Sequence, residues 1–150
     1  LPDDPTRYLL AIVSGSTDLG EITDACPSTT VTFHVGDPFY YGNKRRVEVK
    51  AGTFTVNAGG NRPAHLAITA NPSSSAAWYI RNVDTGEQVK LASSVTSTST
   101  VRVDMALERA TVNSQAAAVT LDSDFFTING RTTLQLSGGS AVLEWRERWL

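Results

Sequence analysis

Apolar and polar side chains alternate with a period of two along most of the chain, and no stretch keeps the 3.6-residue period of an amphipathic helix. The alternating segments are rich in Val, Thr, Ile and aromatic residues, which pack well on a pleated surface. They predict strands at 7–13, 29–35, 45–50, 53–57, 64–70, 77–83, 88–91, 100–104, 110–113, 118–121, 133–136 and 141–149. Residues tolerant of positive φ punctuate them: Asp84-Thr85-Gly86, Asn129-Gly130 and Gly138-Gly139 read as hairpin turns, and Gly59-Gly60 as a turn. One helical turn is expected around 123–126, capped by Asp122 or Ser123. The Ser- and Thr-rich stretch 92–100 reads as a loop. Strands about ten residues apart, joined by short turns, predict an all-β sandwich rather than parallel crossover units.

The chain ends on Ala-Val-Leu-Glu-Trp-Arg-Glu-Arg-Trp-Leu, residues 141–150. Leu143, Trp145 and Trp149 fall on one side of the alternation, and Val142, Glu144, Arg146 and Arg148 on the other, as in a half-buried strand. A composition break falls between Asp37 and Asn43, where Pro38 and Gly42 bracket aromatic residues and the text turns basic at Lys44-Arg45-Arg46. It places a domain boundary near residue 42, dividing the chain into 1–42 and 43–150. The first part holds too few strands for a core of its own, so it is expected to pair with further strands, with the second part or with a neighbouring chain. Because the chain opens on Leu1 rather than on Met, it is expected to have been cut from something longer.

A chain of 150 residues with 41% hydrophobic content can bury a real core. With 13 basic and 15 acidic residues it carries a net charge of -2, which offers no basic field for nucleic-acid phosphates or an anionic membrane surface. The single Cys26 excludes an intrachain disulfide, and the longest apolar run, Tyr8 to Val13, is too short to span a bilayer. His34 and His65 have no second ligand residue beside them and read as ordinary strand residues, so no metal site is expected. Glycoside hydrolysis would need a pair of carboxylates, which Asp122 and Asp124 with Glu108 or Asp104 could in principle form; capping explains Asp122-Ser123 more simply. No nucleophile, phosphate-binding or dinucleotide motif is present, and neither catalysis nor a cofactor is expected. The candidate surface contacts are Trp78 and Tyr79, neighbours in a strand that must face opposite ways, and the basic run Lys44, Arg45 and Arg46. One of the two aromatics is expected in the core and the other at the rim, where it is a candidate for carbohydrate or protein contact. The basic run reads as a solvated edge, or as the partner of an acidic patch on a neighbour.

Several of these segments, in order, resemble siphophage distal tail proteins: Asp4-Pro5-Thr6-Arg7-Tyr8, Thr30-Val31-Thr32-Phe33-His34-Val35 followed by Asp37-Pro38-Phe39-Tyr40-Tyr41-Gly42, Asn71-Pro72, Ile80 through Gly86, Val103-Asp104, and Phe125-Phe126 through Leu150. The resemblance implies a galectin-like or jelly-roll β-sandwich over 43–150, preceded by the later half of a ring-forming domain over 1–42. It further implies a non-enzymatic structural virion protein at the phage tail tip, assembled in the bacterial host cytoplasm. The implied partners are itself in a hexameric ring, the tail tube protein, and tail-associated or receptor-binding proteins. A module that binds host cell-wall saccharide is the alternative.

Overall fold

A computed structural model describes residues 4–14, 31–73 and 77–150; Cys26 and the first residues of the expected strand 29–35 lie outside them. Every regular element among the described residues is a strand. In chain order they are β1 (Ile12–Ser14), β2 (Thr32–His34), β3 (Tyr40–Asn57), β4 (Ala64–His65), β5 (Ala67–Asn71), β6 (Ala77–Asn82), β7 (Gln88–Ser94), β8 (Val101–Asp104), β9 (Arg109–Val112), β10 (Gln115–Ala116), β11 (Thr127–Ile128) and β12 (Arg131–Trp149).

The spine is the antiparallel ladder of β3 and β12, which runs from Asn57↔Arg131 to Tyr40↔Trp149. Along its other edge β12 changes neighbour: residues 134–136 pair with β6, and residues 140–144 pair with β5. A strand that changes neighbour midway folds one sheet into two layers. β6 and β7 extend the first layer, while β5, β8, β9 and β10 extend the second. The corner lies at the register break between Leu136 and Ser140, opposite Gly52. There Gly139 has φ 80°, and a Cβ on it would stand 1.9 Å from the Asn71 carbonyl oxygen. Gly52 has φ 116° but open space around it.

This corner corrects the sequence reading. Gly138-Gly139 does not close a hairpin, because 133–136 and 141–149 both pair with β3 and so form one bent strand. The expected pair 45–50 and 53–57 likewise fuses into β3. Asn129-Gly130 is not a hairpin either, since β11 pairs with β4 rather than with β12. Asp84-Thr85-Gly86 does join the paired strands β6 and β7, and Gly59-Gly60 is a turn. A hairpin absent from the sequence reading joins β9 to β10 through Asn113-Ser114, both at positive φ, the geometry favoured in two-residue loops.

Alternation then builds the core. In the second layer Leu143, Ile68, Val103 and Ala110 make one buried row across four strands, and in the first Leu136, Ile80 and Val89 make another. Trp78, Leu91, Phe126 and Trp145 fill the space between the layers. Residues 118–121 are not a strand, and 123–126 form no helical turn. The segment instead covers the open edge of β7, whose backbone groups need partners. Thr120 N–H donates to the Lys90 carbonyl at 2.9 Å, Asp124 N–H to Gln88 at 2.8 Å, and the Ser123 hydroxyl accepts from Lys90 N–H at 3.0 Å. The Ser-rich stretch is part strand, as β7 runs on to Ser94. β1 and β2 form a separate two-stranded ribbon; of the expected strand 7–13, only Ile12 and Val13 lie in β1, and Tyr8 makes a single bridge.

Candidate interaction site

β3 and β12 run together past the sandwich, and their far end carries the closing Trp-Arg-Glu-Arg-Trp motif. On its inner side the Trp145 ring is buried, and its indole N–H donates to the Ala58 carbonyl at 2.8 Å. Glu147 shares that side and is only 8% exposed. Its carboxylate accepts from Arg45 Nε at 2.7 Å and lies so close to Gly59 that a Cβ there would stand 2.3 Å from Oε1. Glu147 sits where β3 carries an extra residue in the ladder, between Lys44 and Tyr41.

The outer side of the motif seats the N-terminal segment. The Arg148 guanidinium lies 4.0 Å from the Phe39 ring centre and 5.8 Å from that of Tyr41, donates to the Pro63 carbonyl at 3.2 Å, and stands 3.9 Å from Asp37. Arg146 lies over Tyr8 at 5.7 Å, while on the inner side, next to Glu147 at Gly42, Arg7 lies over Trp149 at 4.2 Å. Tyr8 and Tyr41 stack at 5.9 Å and exchange two backbone hydrogen bonds of 3.0 and 2.8 Å. The Tyr41 hydroxyl donates to Asp37; partial burial and this bond together raise its pKa above the ordinary tyrosine value, although Arg148 opposes the shift. Stacked cations of this sort contribute about 0.5–2 kcal/mol each, depending on desolvation.

Beyond this seat Leu10 and the β1–β2 ribbon show apolar side chains to solvent, in the ribbon Ile12, Val13 and Phe33, the last 61% exposed. A two-stranded ribbon with apolar residues on open faces is marginal alone, and such a patch marks a contact surface.

Trp78 is 2% exposed and belongs to the core, so it is withdrawn as a surface contact; its neighbour Tyr79 is half-buried. Period-two geometry sends one of two adjacent residues inward, and here it is the tryptophan. Lys44, Arg45 and Arg46 are exposed, but each has an acid of its own chain: Glu144 at 3.0 Å, Glu147 at 2.7 Å and Glu48 at 3.4 Å. His34 and His65 are exposed, and among the described residues no three His, Cys, Asp or Glu side chains converge. Asp104 caps its own turn by accepting from Ala106 and Leu107 N–H at 3.0 and 3.1 Å. Hydrogen bonds from Thr120 and Gln88 hold the Asp122 pKa below its ordinary value, the opposite of what a general acid needs. Among the described residues no helix is long and apolar enough to cross a membrane.

These features define an all-β module built around the bent strand β12. The chain belongs to the family of siphovirus-type tail components, whose C-terminal domain matches residues 59–149. It is a phage tail component and so part of the virion. Its fold is similar to the crystal structure of the SPP1 Dit (gp 19.1) protein, described as a paradigm of the hub adsorption apparatus in phages that infect Gram-positive bacteria. The match has a TM-score of 0.80 and 20% sequence identity, and covers 99% of this chain and 62% of that one. The chain therefore spans less than two thirds of that protein. A comparison with curated protein sequences gives no significant match.

Proposed function

We propose that this chain is a hub component of the tail tip, joining the tail tube to baseplate or host-adhesion proteins through protein surfaces and without catalysis. On this reading residues 1–42 are the later part of a domain that closes a hexameric ring, and residues 43–150 are a galectin-like adaptor. A heterologous contact repeated around an axis closes a ring, and it needs a patch on each subunit that a neighbour covers. The observation that carries the reading is the apolar β1–β2 ribbon held beside the sandwich by the aromatic and arginine seat at the end of β12. The buried position of Trp78 takes away the chief support for saccharide binding.

The test is solution mass by light scattering, on a protein carrying the whole ring domain and on these 150 residues alone, at matched concentration. Six chains for the former and one for the latter is the expected result. A single chain in both overturns the ring.

A further inference from the structure

The outward face of the second layer reads directly from the pairing registers. One row across five strands is Arg109, Asp104, Ala67, Glu144 and Arg46, and the next is Thr111, Arg102, Thr69, Val142 and Glu48. The β5 positions are short side chains between taller ones on β8 and β12, so the face is a trough along β5. Depressions of about 590, 480 and 290 Å³ lie along it; Ala67 lines the first two and Thr69 the last two.

Charge on this face is uneven. Lys44, Arg46, Lys50, Arg102, Arg109 and Arg146 stand against Glu48, Asp104 and Glu144, although the whole chain is net negative. The carboxylates are already engaged: Asp104 with its own turn, Glu144 with Lys44, Glu48 with Arg46. Arg102 and Arg109, on adjacent strands, have no ion pair or hydrogen bond among the described residues. Diagonal neighbours on a sheet lie roughly 7–8 Å apart, so these two cations stand side by side, with Asp104, opposite Arg109, held to the amides of its own turn. Leu107, 71% exposed, stands at its margin.

We propose that this trough docks an extended acidic polypeptide segment of another tail component, its carboxylates meeting Arg102 and Arg109 and an apolar side chain resting on Leu107. The floor spans the five residues of β5, about 17 Å at 3.3 Å per residue, which suits an extended segment of similar length. Interleaved carboxylates disfavour a continuous phosphate chain. This deepens the adaptor reading by naming the partner's chemistry. Its test requires no ring, so the two can fail separately.

The probe is a fluorescein-labelled synthetic peptide of alternating Glu and Thr with one central Leu, followed by fluorescence anisotropy on the full chain. Its counterpart with Lys for Glu and a labelled oligothymidylate are run beside it. The expected result is saturable binding of the acidic peptide that weakens by about tenfold or more in Arg102→Glu/Arg109→Glu, since two rim charges are both lost and reversed. It is unchanged in Arg81→Glu/Arg131→Glu on the other layer. Should the reversal impair folding, Arg102→Gln/Arg109→Gln is read in the same way. The proposal is overturned by absence of binding, by equal binding of the lysine peptide or oligothymidylate, or by equal loss in the control pair.

Discussion

Replacing Gly139 by alanine tests the corner at which one sheet becomes two layers. A side chain at its φ of 80° costs about 1–3 kcal/mol in backbone strain. The new methyl would also stand 1.9 Å from the Asn71 carbonyl oxygen and 2.8 Å from Pro72 backbone atoms, so the end of β5 must move away from β12. Such overpacking costs a further 1–3 kcal/mol, roughly. Gly52, across the ladder, has φ 116° and open space, so Gly52→Ala carries only the strain, about 1–3 kcal/mol. At about 2–4 °C per kcal/mol for a chain of this size, Gly139→Ala should melt about 4–24 °C below the parent and Gly52→Ala about 2–12 °C below it. Within the pair, Gly139→Ala should be the lower. Tryptophan fluorescence during thermal and urea unfolding reads both. Equal melting temperatures, or a lower one for Gly52→Ala, would refute the close approach of β12 to the end of β5.

Trp145→Phe should destabilise more than Trp78→Phe, by about 1 kcal/mol or more in urea titrations, because Trp145 gives its N–H to a carbonyl while the buried Trp78 N–H has no acceptor among the described residues. Arg148→Ala should speed proteolytic cleavage within 31–41 while leaving the sandwich's main urea transition within about 1 kcal/mol of the parent, and Arg148→Lys should rescue only in part because a point charge stacks less well. Mass spectrometry of the fragments and a urea titration check this. Tyr41 has a raised pKa in the folded chain, so its contribution to the seat is fully present below the ordinary tyrosine pKa and is lost as pH rises through the folded value. The seat should therefore hold at neutral pH and loosen only in alkali. A tyrosinate absorbance titration should show Tyr41 ionising above the ordinary tyrosine value, and earlier in Asp37→Asn.

The all-β fold and its buried rows were legible because period two holds within each straight run, 132–136 and 141–145, although the inward phase flips at the bend between them. The bend itself was not. A glycine pair between two alternating runs signals a hairpin or a kink equally well, and only the far partner, β3, decides which. Strict alternation puts Glu147 on the side of Trp145, but its burial depends on Arg45 and Gly59, which lie far away in sequence. The arginine seat was half legible: Arg146 and Arg148 were placed on one side of β12, but their aromatic partners lie over a hundred residues earlier, beyond the reach of local pattern. The unpaired state of Arg102 and Arg109 depends on neighbouring strands and left no mark on the sequence.

The most direct test of the account is cryo-electron microscopy of intact virions with antibody fragments raised against residues 43–150. Density from six fragments, arranged in one ring where the tail tube meets the tip, is the predicted result. Labelling along the tube shaft, or on the head, would contradict it.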